Sequence, residues 1–253
     1  MSADPGLRAR YLEALGIDVW VPRAGRRVAR GPAPAMSLAS PSSVSGSPEI
    51  APAAVSGAPA GVPDDWAGLQ AEVLACTRCA LHRGRTQAVF ASGDRQARWM
   101  VIGEAPGAEE DRQGEPFVGR AGQLLNAMLA AIGLTRPDVF VANMIKCRPP
   151  QNRDPKPEEL ASCRSYLERQ VRLLQPTLIL VVGRIAAQNL LATDAPLARL
   201  RGQVHRVGGL NTPAIVTYHP AYLLRTPVDK RKAWEDLKLA RRVFGELADS
   251  AAR

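Results

Sequence analysis

Four short apolar runs, each followed by a helical pattern, constrain this chain more than any other feature. Trp99-Met100-Val101-Ile102-Gly103, Val139-Phe140-Val141-Ala142-Asn143, Thr177 to Val182 and Ala214-Ile215-Val216-Thr217 read as strands without polar alternation. A strand with no polar face is buried on both sides. Helical spacings separate them. Ala121 to Leu134 repeats Leu124, Leu125, Met128, Leu129 and Ile132; Pro157 to Leu174 opens on a proline suited to a first turn; Ile185 to Leu191 follows the third strand. Lys230 to Leu247 closes the pattern as a helix. Such alternation predicts an α/β fold, a three-layer α/β/α sandwich with a central four-stranded parallel sheet. Ligands of these sheets bind beyond the carboxyl ends of the strands. There the chain carries Gly103-Glu104, Asn143 and Tyr218-His219.

This pattern occupies residues 64–253 of the 253. Residues 1–30 form a short basic segment, with Leu7, Tyr11, Leu12 and Leu15 at helical spacing and six Arg against three acids. Residues 31–63 are Ala, Pro, Ser or Gly at 26 of 33 positions, with Glu49 as the only charge. A segment so poor in large apolar groups cannot offset its ordering entropy, and a disordered linker is expected. The formal charge of +9 favours an anionic partner, nucleic acid first. The run Leu178 to Val182 is too short to cross a bilayer, and the N-terminus lacks a signal peptide's apolar stretch. A soluble, cytoplasmic, monomeric protein is expected, with no membrane partner.

In a reducing compartment the four cysteines are metal ligands or plain buried thiols rather than disulfides. Cys76 and Cys79 form a Cys-x-x-Cys at the end of the domain's first helix. Cys147 lies four residues past the second strand, and Cys163 sits inside the next helix. A zinc ribbon wants two close pairs, whereas Cys147 and Cys163 are widely split. Four irregularly spaced thiolates suit an iron–sulfur cluster at least as well. Spacing alone leaves both open.

Three motifs stand at the strand ends. Gly103-Glu104-Ala105-Pro106-Gly107 is a Gly-rich turn that lets backbone amides approach a ligand. Pro116-Phe117-Val118-Gly119-Arg120-Ala121-Gly122 places one of only four Phe in a Gly-rich loop, where a flat ring could cap the core or stack on a base. His219-Pro220-Ala221-Tyr222-Leu223-Leu224-Arg225 follows the last strand. With Asn143 and Lys146-Cys147-Arg148-Pro149-Pro150-Gln151-Asn152, these residues resemble the family 4 uracil-DNA glycosylases, the iron–sulfur branch of that superfamily. The resemblance covers about residues 66–244 and excludes the N-terminal segment and linker.

The resemblance implies a repair enzyme that hydrolyses the bond between uracil and deoxyribose in single- or double-stranded DNA. It implies a structural 4Fe–4S cluster on Cys76, Cys79, Cys147 and Cys163. The target base would be flipped into a pocket, with Phe117 stacking on it. Asn143 would read its O4 and N3–H edge, and Glu110 would help exclude thymine's methyl. His219 would donate to O2 as the base leaves. Arg120 and Arg225 would hold phosphates, and Leu223 or Leu224 would fill the vacated space. Glu104 would position water or stabilise the cationic sugar. Another branch of the superfamily has a water-orienting Asp where this chain has Ala105, in the wall of the uracil site. Alanine is no base, so either Glu104 takes part of that role or cleavage is largely dissociative.

Three other readings compete. The first is a broader glycosylase acting on hypoxanthine or xanthine. The second is a related branch that stays covalently attached to DNA through a loop histidine, opposed by the lack of any His between Cys147 and Glu159. The third is a cluster-bearing nucleic-acid-binding module without activity, opposed by the set Glu104, Phe117, Asn143 and His219.

Overall fold

A computed structural model of the chain describes residues 65–251 except Leu210. The expected N-terminal segment and linker lie outside the described residues. Eight helices and six strands are described: α1 (Trp66–Leu74), β1 (Ser92–Gly93), β2 (Trp99–Gly103), α2 (Ala108–Gln113), α3 (Arg120–Ala131), β3 (Val139–Asn143), α4 (Pro157–Leu174), β4 (Leu178–Val182), α5 (Arg184–Leu190), α6 (Leu197–Leu200), β5 (Val204–Val207), β6 (Thr212–Thr217), α7 (Pro220–Arg225) and α8 (Lys230–Ala251).

The sheet order is β1-β3-β2-β4-β6-β5. The inner four strands run parallel and are the four predicted runs. The sheet is nevertheless six-stranded and mixed, which corrects the four-stranded parallel expectation: β1 and β5 add antiparallel edges. Neither edge strand has a buried run to betray it. β1 is two residues long, and β5 carries His205, Arg206 and an exposed Val204. Short, polar edges of this kind discourage pairing with other chains.

Side-chain alternation along the inner strands builds two cores. Met100, Ile102, Phe140, Ala142, Ile179 and Val181 meet α1 and α4 on one face. Trp99, Val101, Val139, Val141, Leu178 and Leu180 meet α3 and α8 on the other. Both faces of each strand are therefore dry, which is why the strands lack polar alternation. The register pairs Gly103 with Asn143, Ile102 with Val181 and Val182 with Thr217, so the four inner strands finish near one level. His219 follows β6 by two residues. Among the described residues, no helix is long and apolar enough to cross a membrane.

Candidate active site

The site begins where β2 ends. A Cβ at Gly103 would stand 2.5 Å from Asn143 Oδ1 and 2.6 Å from Phe117 Cζ, so the missing side chain lets amide and ring close over the strand end. Asn143 is 2% exposed, and its Oδ1 has no hydrogen-bond partner among the described residues. A buried amide oxygen left unpaired is a group that awaits a ligand's donor.

Phe117 is held in an unusual backbone. Its φ of 57° lies in the left-handed region, which costs a bulky residue roughly 1–3 kcal/mol. The surroundings impose it. Gly122 admits the Phe117 carbonyl so closely that a Cβ there would stand 1.7 Å from the oxygen. Arg136 donates to the Pro116 carbonyl and to Ser92 Oγ (3.0 Å). Glu110 ties two loops together: Oε1 accepts from the Val118 and Gly119 amides at 3.0 and 3.1 Å, and Oε2 from the Gly107 amide at 3.1 Å. Both of its oxygens therefore hold backbone while the side chain also lines the cavity.

His219 caps α7. Its Nδ1 accepts from the Ala221 amide at 3.1 Å. A ring nitrogen that accepts carries no proton, so the neutral ring bears its hydrogen on Nε2. Burial, reinforced by the Arg225 charge, pushes the imidazole down to about 4 against a smaller opposing effect of Glu110. The ring is thus neutral at pH 7, a fixed Nε2–H donor. It stacks on Phe117 with centroids 5.6 Å apart and planes 30° apart.

These residues share a cavity of about 380 Å³. Glu104, Ala105, Glu110, Phe117, Asn143 and His219, chosen from the sequence on different segments, all line it. Arg225 lines it as well, whereas Arg120 is exposed on the first turn of α3 beside the lining residue Ala121. Leu223 is 1% exposed, packed with residues of α3 and α8, whereas its neighbour Leu224 is 38% exposed. Sequence reasoning gave no role to Asn152, Asp154 or Tyr222, which also line the cavity. Asn152 lies in the loop after Cys147 with a left-handed φ of 55°, a conformation that Asn adopts more readily than most residues. Asp154 is paired with Arg184 at 2.9 Å. Burial, then the Asp154 charge, raises the Glu104 carboxyl to about 7, with Arg184 opposing. Glu104 therefore titrates near neutrality.

The cysteines form a second cavity. Cys76, Cys79, Cys147 and Cys163 line it together with Arg78, Lys146 and Tyr166. Cys76 lies two residues beyond the end of α1 rather than in it, and Cys79 caps a 3-10 turn over Ala80–Arg83. None of the four is in a disulfide. Arg85 donates to Cys147 Sγ at 2.9 Å. Burial raises the Cys147 and Cys163 thiols, Cys163 to about 11. Lys146 is fully buried, and its Nζ donates to the Asn143 carbonyl (2.8 Å) and to Gln170 Oε1 (2.7 Å). Among the described residues, no three His, Cys, Asp or Glu side chains are gathered as ligands of a single ion. Cys76, Cys79, Cys147 and Cys163 around one cavity, with Arg85 on the Cys147 sulfur, are the residues that could hold a thiolate-bound metal centre.

Comparison with known families decides the kinship. The model of the uracil DNA glycosylase superfamily matches residues 90–238, a span that includes Phe117, Asn143 and His219. The chain belongs to this superfamily. Within it, the chain is 44% identical to a type-4 uracil-DNA glycosylase of Archaeoglobus fulgidus over 66% of its own length and 87% of the relative's. It is 41% identical to the type-4 uracil-DNA glycosylase of Pyrobaculum aerophilum, over 65% and 87%. It is 40% identical to that of Thermotoga maritima, over 67% and 89%. The cavity built from Glu104, Phe117, Asn143 and His219 lies inside the region that makes the chain a uracil-DNA glycosylase relative.

Proposed function

We propose that the chain is a monofunctional uracil-DNA glycosylase, starting base excision by hydrolysing the N1–C1′ bond of deoxyuridine in DNA. One observation carries the reading: an unpaired buried amide oxygen, an aromatic ring held on a left-handed backbone and a neutral Nε2–H donor converge on one cavity. The Asn143 amide can accept from N3–H and donate to O4 of uracil. Cytosine reverses that pattern, and its buried polar edge would go unpaired. Phe117 offers a face for stacking. As the glycosidic bond breaks, its electrons pass to the uracil ring and negative charge grows on O2. The Nε2–H of His219 donates there without transferring its proton, the kind of contact typically worth about 3–4 kcal/mol. Glu104, ionised above about pH 7, faces the developing positive charge on the sugar and can orient the water that adds to C1′.

Glu110 acts at one remove. By bridging Gly107, Val118 and Gly119 it holds the Phe117 loop, and its side chain in the cavity wall narrows the space near the base. Substrate DNA would be single- or double-stranded, gripped by Arg225 and Arg120. The enzyme would act as a cytoplasmic monomer. Cys76, Cys79, Cys147 and Cys163 would hold a 4Fe–4S cluster, which when bound ties the loop after α1, the segment after β3 and helix α4 into one unit. The test is release of uracil from an oligonucleotide carrying one deoxyuridine, read as an alkali-labile strand break. Matched thymine and inosine strands accompany it. Breaks at uracil alone support the proposal; breaks at inosine with none at uracil would replace it with the broader deaminated-purine reading.

A further inference from the structure

Two buried polar side chains behind Asn143 take no part in the reaction proposed above. Lys146 is 1% exposed and Gln170 0%. Neither is among the residues that line the open cavity. Burying such groups is costly unless each is bonded, so where their bonds go is informative.

The bonds lie where the sheet runs out. β1 pairs antiparallel with β3, Gly93 opposite Phe140 and Ser92 opposite Val141. Carried on, that register sets Phe90 opposite Asn143, where a further rung would join the two main chains directly. β1 begins at Ser92, short of that rung. Side chains span the gap instead. Lys146 Nζ donates to the Asn143 carbonyl at 2.8 Å and to Gln170 Oε1 at 2.7 Å. Gln170 Nε2, from α4, donates to the Phe90 carbonyl at 3.1 Å. The Val89 amide also donates to the Lys146 carbonyl at 2.8 Å. An unbroken line of hydrogen bonds therefore runs from Phe90 through Gln170 and Lys146 to the backbone of Asn143. On the side of β2, the Met144 amide donates to the Gly103 carbonyl at 2.9 Å. The backbone around Asn143 is thus held from both sides, while its Oδ1 stays unpaired.

We propose that Lys146 is a positioning residue for base recognition. Through its bond to the Asn143 carbonyl, with Gln170 as its brace, it fixes the backbone from which the Asn143 amide reads uracil. The inference rests on the glycosylase reading above and adds the two residues that set the reader's pose. Lys146 also lines the cysteine cavity, but through this bond it serves the open one. The line needs only two donated hydrogens, so it holds for an amine and an ammonium alike. A positioning group misplaced by about 1 Å can cost about a hundredfold in rate, and a loosened pose should cost less.

The experiment measures single-turnover excision from one uracil strand by Lys146→Met, Gln170→Met, the double variant and Gln170→Glu. DNA affinity, iron content and melting temperature are measured on the same preparations. Methionine keeps roughly the length of each side chain and removes its bonds. Each single methionine variant should lose about tenfold in rate at unchanged DNA affinity. The double variant should be no slower than the slower single one, because both changes cut one line. Gln170→Glu keeps an oxygen for Lys146 and should stay close to the wild-type rate. Unchanged rates in the methionine variants, losses that multiply in the double variant, or equal losses for Met and Glu at position 170 would each overturn the proposal. If Lys146→Met does not fold, the contrast between the two Gln170 variants decides alone. Wild type that releases no uracil would instead sink the glycosylase reading, which keeps the two failures apart.

Discussion

Two cavities hang from the end of one strand, and they treat buried polarity in opposite ways. Asn143 ends β3 in the open cavity, and Cys147 lies four residues later in the cysteine cavity. In the first, the Asn143 oxygen is unpaired, Phe117 is strained and Glu104 titrates near pH 7. In the second, Lys146 finds two acceptors, Gln170 reaches the Phe90 carbonyl at 3.1 Å, and Arg85 donates to a sulfur. Unsatisfied groups mark where a substrate completes the structure, and satisfied ones mark where the structure completes itself. The open cavity should therefore govern rate and the cysteine cavity stability.

The largest effect should come from His219→Ala. Loss of the Nε2–H donor should slow single-turnover excision by about a hundredfold or more while leaving DNA affinity nearly unchanged. Because the imidazole is pushed down to about 4, its protonation should not lower the rate between pH 8 and pH 5. A rate that falls through pH 6.5 and flattens in the variant would place the proton elsewhere. His219→Asn should retain part of the rate if its amide reaches the same oxygen.

Cys163→Ala should show the reverse profile. Melting temperature should fall by roughly 10 °C with loss of bound iron, because three segments lose their common tie. The surviving folded fraction should keep its preference for uracil. Full iron content at wild-type stability would remove Cys163 from the ligand set.

Glu110→Gln sharpens the comparison, because its target lies in the active cavity but its bonds are structural. An amide has one acceptor oxygen where the carboxylate serves three backbone donors. The Phe117 loop should loosen, raising KM about tenfold with a smaller change in kcat. A pure loss in kcat would mean that the carboxylate acts on the reacting atoms.

Glu104→Gln should have the smallest effect at low pH and a growing one above pH 7. Wild-type rate should rise as the carboxyl ionises near pH 7, and the variant's profile should be flat there. Stability should move the other way. A carboxyl raised in the folded state favours folding when protonated; that contribution is complete below about 4.5 and is lost as pH rises through about 7. The variant should lack this slope.

The inner sheet was legible because its strands are buried on both faces, and Trp99–Gly103 and Val139–Asn143 match the apolar runs residue for residue. β1 and β5 were not, since an edge strand has solvent on one side and no run to show. Glu104, Asn143 and His219 were visible because strand ends in this fold face one edge. The left-handed Phe117 was not, because Gly122 and Glu110 impose it from elsewhere in the chain. Leu223 and Leu224 are adjacent apolar residues on a short helix, and only the packing of α7 against α3 and α8 assigns the first to the core and the second to solvent. Asp154 entered the site only through the loop that carries it past Glu104.

The central claim is that the Asn143 amide, its buried oxygen unpaired, makes the open cavity a uracil reader. Its most direct test is single-turnover excision by wild type and Asn143→Asp on one uracil duplex, with melting temperature and DNA affinity measured on the same preparations. An ionised carboxylate cannot donate to O4, so the variant should lose about thirtyfold or more in rate at unchanged affinity and stability. A variant that excises uracil at the wild-type rate would show that Asn143 does not read the base, and the account of the cavity would fall with it.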